Sequence, residues 1–307
     1  MEFSIVLNQA TILSIISLIG YMAGKYGIID EAGSKKLSEV LLFITSPMMV
    51  LRSFFIEFSK ARLINILWMV GSSALMFIIS IALAQIIYRN FNSNIRPVMR
   101  TTAVFSNCAY MGLPLISAFW GDEGVFFGSF YIVVFHTFLW SYGYAVYGAV
   151  ESKVNMVKNV LTKPSLIALY LGLLIFFSKI PVPDVINSAV SIVGSVTMPL
   201  SMLIIGGIIS RTKFSTLFND WRVYLVAVIR LIFMPFIAFL LAYLAKIPPL
   251  PASVMIIAIS MPVAANIPIF AEKFGKDSSF ASKCVTISTL FSIFTSPVII
   301  YVVAALL

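Results

Sequence analysis

At 307 residues, 60% hydrophobic and only 11% charged, with a mean hydropathy of +1.03, the chain is far too apolar for a soluble domain, in which about a quarter of residues are charged. A net charge of +9 could suggest nucleic acid, but the basic residues are scattered through short loops rather than gathered on one patch. Composition predicts an all-α, polytopic membrane protein with no nucleic-acid partner.

In chain order, apolar segments long enough to span fall at 5–24, 36–57, 63–88, 97–120, 125–149, 164–180, 184–209, 220–245, 251–273 and 279–305. They predict ten transmembrane helices, the sixth being the shortest, joined by brief connections that leave no room for a soluble domain. No secretory signal is expected, since Met1-Glu2-Phe3 lacks a basic run and no small-residue cleavage site follows. Cys108 and Cys284 both lie inside apolar segments without metal-ligand spacing, and read as reduced packing residues.

Orientation follows from the basic residues. The odd-numbered connections hold fifteen Lys and Arg, the even-numbered ones five, and Arg230 lies within a helix. Cytoplasmic loops carry the excess, so both termini are expected outside the cell membrane. A shift of 154 residues pairs Pro97 with Pro251, Ser106 with Ser260, Pro114 with Pro268 and Gly121 with Gly275. Two halves, 1–150 and 151–307, would then hold five spans each. An odd number of spans forces opposite insertion, so the expected fold is two inverted five-helix repeats, an arrangement characteristic of secondary transporters.

Within the fourth segment runs Asn107-Cys108-Ala109-Tyr110-Met111-Gly112-Leu113-Pro114. Gly112 loosens the backbone and Pro114 removes an N–H, so a break is expected near the centre of the span. The ninth segment carries the matching Met261-Pro262-Val263-Ala264-Ala265-Asn266-Ile267-Pro268, whose two prolines no unbroken helix accommodates. Freed backbone groups survive in lipid only where protein or a water-filled cavity satisfies them. Antiparallel broken helices 4 and 9 are therefore expected to cross, with half-helix N-termini and the amides of Asn107 and Asn266 suited to an anion. Kinks that merely pack remain the alternative. For Pro47 and Pro199 the plain kink is the preferred reading, with Thr45, Ser46 and Thr197 beside them available to line a cavity.

Arg230, deep in the eighth segment, costs at least ~2.5 kcal/mol there and asks for a partner. It admits three roles: counter-charge to an anionic substrate, structural pair of a helix-end carboxylate, or a snorkelling side chain. His136, the only histidine, stands among Phe135, Phe138 and Trp140 and reads as a packing residue before a proton relay. No metal cluster, serine elbow or phosphate loop appears, so neither an enzyme nor a cofactor is expected. No carboxylate lies in the two broken segments ahead of Glu272, which weakens a proton-coupling scheme built on a central acid.

Asn107-x4-Gly112-Leu113-Pro114-Leu115 with Gly121-Asp122 resembles the fourth-helix signature of the auxin efflux carrier family. Met261-Pro262-x3-Asn266 followed by Ala271-Glu272-Lys273-Phe274-Gly275 resembles its ninth-helix signature, with the departure that Pro268 follows the asparagine so closely. The short connection between spans five and six resembles that of a compact prokaryotic member. The resemblance implies a ten-helix fold shared in outline with the bile-acid–sodium symporters, divided into scaffold and transport domains. It implies a carboxylate held at the crossing, moved by elevator-like motion, with malate or malonate expected ahead of auxin. Carried over by position, the site residues are Asn107, Gly112, Pro114, Pro262, Asn266 and Pro268, with Arg230 added from its burial. The expected function is a secondary or facilitative transporter of a small organic anion. A sodium-coupled symporter of the bile-acid type and an anion-binding receptor are the alternatives. A coupling ion, H+ or Na+, and a homodimer stay open.

Overall fold

The computed structural model describes residues 3–148, 161–179, 181–211 and 220–306. Among them the secondary structure is helical, without a strand, and each predicted span contains helix. The helices are α1 (Phe3–Lys25), α2 (Glu31–Val40), α3 (Ser46–Ser53), α4 (Lys60–Ile87), α5 (Arg96–Val104), α6 (Leu113–Ala145) and α7 (Pro164–Ser178). They continue with α8 (Asp184–Ser195), α9 (Thr197–Ser210), α10 (Trp221–Val228), α11 (Met234–Leu244), α12 (Pro249–Ser260), α13 (Ile267–Lys273) and α14 (Ser278–Leu306). By length and composition, five stretches are able to cross a membrane: Lys60–Ile87, Cys108–Ala145, Asp184–Ser210, Trp221–Leu244 and Ser278–Leu306. Shorter apolar helices accompany them. Large side chains such as Leu67, Leu174, Ile192 and Phe294 are exposed. Water would penalise that surface; hydrocarbon does not.

Proline sets the local geometry in a repeated way. Three five-residue π turns, Leu41–Thr45, Cys108–Gly112 and Ile229–Phe233, each precede a proline by two residues: Pro47, Pro114 and Pro235. Proline has no N–H to donate and its ring collides with the carbonyl four residues back. Widening that turn moves the carbonyl aside, and the hydrogen bond just before the proline then reaches five residues back, as from Ser46 to Leu41 and from Met234 to Ile229. Helix α6 contains one non-helical residue, Gly121, at φ 57° and ψ −149°. It separates the predicted fourth and fifth spans, and glycine is the residue that tolerates such a backbone cheaply.

The chain packs as two units, each assembled from separated stretches. One comprises Met1–Leu67, Ala109–Phe130 and Leu161–Thr212. In it α1 lies against α9 so closely that a Cβ on Gly206 would overlap the main chain of Ser17 and Tyr21. Small residues permit that approach, the usual way helices associate in lipid. Leu41, Leu200 and Ile204 form a core patch with Leu37, Leu42 and Tyr110. Phe54, Phe126, Phe130 and Phe176 pack ring against ring at tilted angles in the same unit.

The other unit comprises Trp68–Cys108, Tyr131–Val160 and Lys213–Leu307. Its centre is α12, buried at every position from Pro251 to Ser260, packed against α11 and α14. Phe77 gathers Phe105, Tyr131, Phe135 and Phe138 around it. A helix buried on all sides must be apolar all round, which is why α12 shows no polar face.

Candidate functional site in the crossing of two interrupted helices

Helix α5 ends at Val104 and the chain runs extended from Phe105, at φ −102° and ψ 116°. Helix α12 ends at Ser260, because the residue before a proline is pushed out of the helical region; Met261, ahead of Pro262, adopts φ −66° and ψ 152°. The two extended stretches, residues 105–107 and 261–264, lie antiparallel with Ser106 opposite Val263. The Asn107 N–H donates to the Pro262 carbonyl at 2.7 Å and the Ala264 N–H to the Phe105 carbonyl at 3.0 Å. The Ser106 hydroxyl donates to the Ala258 carbonyl at 2.7 Å, and the Val263 N–H donates to Ser288 Oγ at 3.1 Å. Main-chain groups released by one break are thus taken up by the other break and by serines, which is how irregular backbone survives without water.

Arg230 stands behind this junction, 1% exposed. Its Nε donates to the Met261 carbonyl at 3.1 Å, its Nη1 to the carbonyls of Ala103 at 2.7 Å and Val104 at 3.3 Å, and its Nη2 to the Ile259 carbonyl. The acceptors are the last carbonyls of α5 and α12, the negative ends of two half-helices. Among the described residues no carboxylate lies within ion-pairing distance of Arg230. Of the three roles open to it in the sequence, snorkelling does not fit a buried, fully engaged guanidinium.

Asn107 and Asn266 are both half-buried. Asn266 holds the N-cap position of α13, but its side chain does not cap the helix. Its Oδ1 is shielded from solvent and has no hydrogen-bond partner among the described residues. Rotation of the amide interchanges its donor and acceptor ends, so the shielded end without a partner is either the carbonyl or the amino group. Pro262 is buried beside it, and Pro268 occupies the first turn of α13, where a missing N–H costs nothing.

The break in the fourth span falls near the centre of the segment, as expected, but not at Pro114 itself. The extended residues come seven and more positions earlier, because the π turn Cys108–Gly112 absorbs the proline. Gly112 closes that turn and Pro114 is the second residue of α6; both are buried and both belong to the first-described unit, whereas Asn107, Pro262, Asn266, Pro268 and Arg230 belong to the second. The Tyr110 carbonyl, which an N–H at position 114 would have paired, instead accepts from the Ser201 hydroxyl. Ser106, Ser201 and Ser288 were not singled out for such work in the sequence. Ser106 carries only its pairing with Ser260 in the repeat, and Ser201 and Ser288 are ordinary serines inside apolar spans.

Elsewhere, the His136 ring stands edge-on to Phe135, and Lys273 Nζ donates to Tyr144 Oη at 3.1 Å. Cys108 and Cys284 are buried without a disulfide. An apolar groove of about 650 Å³ runs between Leu231, Pro235, Phe239, Ile256, Phe294 and Val298, with Thr295 its one polar lining residue. Its lining offers almost no hydrogen-bonding groups, in contrast to the crossing.

The sequence model of the membrane transport protein family matches the chain over residues 5–161 and 150–300. An uncharacterised transporter of Methanocaldococcus jannaschii is 23% identical over 297 residues, covering 94% of this chain and 95% of that protein. An uncharacterised transporter of Methanothermobacter thermautotrophicus is 23% identical over 300 residues, covering 94% and 96%. Apolar helices around a satisfied, interrupted junction and a family match across nearly the whole chain lead to one conclusion: the chain belongs to the membrane transport protein family, that of the auxin efflux carriers, and is an integral, multi-pass membrane transporter rather than an enzyme.

Proposed function

We propose that the chain is a secondary or facilitative transporter of a small organic anion, a carboxylate such as malate, malonate or an auxin-like acid, bound at the crossing. The observation that carries this reading is the shielded, unpartnered amide end of Asn266 beside a junction where main-chain groups of one break pair with those of the other. Asn107 and Asn266 supply the polar contacts, and Pro262 and Pro268 the rigid walls. Gly112 and Pro114 set the path of the chain beyond Asn107, and Arg230 serves the site from behind rather than as a direct ligand. The reading includes ten spans in two inverted repeats, 1–150 and 151–307, with elevator-type alternating access. Gly121 and Gly275, paired by the repeat, share positive φ values of 57° and 61°, which supports it. The fifteen-to-five bias of basic residues between alternate loops supports outward termini in the cell membrane.

The test begins with a thermal-shift screen of carboxylates on purified protein, followed by flux of the selected compound into proteoliposomes. Affinity should fall about ten- to a hundredfold in Asn107→Ala and in Asn266→Ala, the loss expected for one buried polar contact of ~1–3 kcal/mol. Asp at either position should do worse than Ala, because it sets like charges together at low dielectric. Wild-type affinity in both Asp variants would sink the reading, and stabilisation by a carboxylate without flux would make the protein a receptor instead.

A further inference from the structure

Four carbonyl oxygens, from Ala103, Val104, Ile259 and Met261, converge on one point at the C-terminal ends of two interrupted helices. In transporters built on discontinuous helices, such half-helix ends and unwound carbonyls are where Na+ or H+ is coordinated. Here the point is filled by the guanidinium of Arg230, a covalently tethered cation. We infer that Arg230 is the resident cation of the crossing, standing where a dissociable coupling cation would otherwise sit, so that assembly of the site and binding of its anion require no Na+. This deepens the anion-transport reading and rests on it for the word coupling.

The electrostatics and the stereochemistry agree. Each half-helix C-terminus carries roughly −0.5 of an elementary charge, so two of them present about −1 to the junction, a field that would repel an anion. The guanidinium's single positive charge offsets that sum. A planar fork with five N–H donors can reach oxygens from two separate chain segments at once, and it does not lose its proton in a protein. Na+ arrives and leaves, and so can couple; a side chain cannot leave. The π turn ahead of Pro235 carries Arg230, so the same widening that relieves the proline lies where the cation is presented.

The experiment uses purified full-length protein with no carboxylate added, so its outcome is separable from whether Asn107 and Asn266 bind an anion. Melting temperature is measured in sodium chloride and in choline chloride of equal ionic strength, for the wild type, Arg230→Ala and Arg230→Lys. The wild type should melt at the same temperature in both salts. Arg230→Ala should lose on the order of 10 °C in choline, as breaking a buried charged contact does, and regain part of it in Na+ or millimolar methylguanidinium. Arg230→Lys should fall between and stay indifferent to sodium, because its ammonium fills the same point with fewer donors. Sodium stabilisation of the wild type by several degrees would overturn the inference. So would an Arg230→Ala variant that melts alike with all three cations. Should Arg230→Ala fail to fold, the sodium response of the wild type and of Arg230→Lys decides.

Discussion

Replacing Ser201 with Ala removes one hydroxyl, and the structure says what that hydroxyl does. It donates to the Tyr110 carbonyl, the group left without its helical partner because position 114 is proline. Ser201 is buried, so no water replaces it. An orphaned buried carbonyl costs ~1–3 kcal/mol in soluble proteins, while hydrogen bonds between membrane helices average ~0.6 and reach ~1.7 kcal/mol. An isolated carbonyl with no alternative donor belongs toward the upper part of the second range, about 1–1.5 kcal/mol. At ~2–4 °C per kcal/mol for a chain of this size, Ser201→Ala should lower the melting temperature by roughly 2–6 °C. The decisive measurement is a double-mutant cycle with Pro114→Ala, read by thermal unfolding of the four purified proteins. Alanine at 114 restores an N–H that can pair the Tyr110 carbonyl, so Ser201→Ala on that background should cost under ~0.5 kcal/mol, a coupling of about 1 kcal/mol. If Ser201→Ala costs the same with Pro or Ala at 114, within ~0.3 kcal/mol, the link between the proline and the serine is refuted.

Other substitutions probe the scaffold. Gly206→Ala would drive a Cβ into the main chain of Ser17 and Tyr21, and overpacking of this kind costs about 1–3 kcal/mol. Gly71→Ala, whose Cβ would meet nothing within 4 Å, should be neutral or slightly stabilising by the same thermal assay. Gly121→Ala should destabilise by ~1–3 kcal/mol from backbone strain alone, since φ 57° with ψ −149° is a region essentially restricted to glycine and nothing lies within 4 Å of the new Cβ. With Cys108 and Cys284 replaced, a cysteine at the exposed position of Asp184 should react with impermeant maleimide from outside the cell and one at Lys36 should not. The reverse pattern would overturn outward termini.

Much of the architecture is local in origin and therefore legible residue by residue. An apolar run of about 20 residues needs no partner to be recognised as a span, and helix is found in every predicted segment. Proline acts on its own neighbours, so the interruption ahead of Pro262 and the placement of Pro268 in a first helical turn follow from the sequence alone. Asn107 and Asn266 stand beside the two interruptions as the paired motifs indicated. What the tertiary structure decided was where freed backbone groups find partners. The fourth span breaks at residues 105–107 rather than at Pro114, because pairing with residues 262–264 rewards an extended chain there. Ser201 meets Tyr110 across 91 positions and Arg230 meets Ala103 across 127. Main-chain carbonyls are present at every residue and carry no sequence signature, so nothing in the order of side chains marks which of them a buried arginine or serine will reach. A charge at membrane depth announces that it needs a partner; only the packing of helices distant in the chain names it.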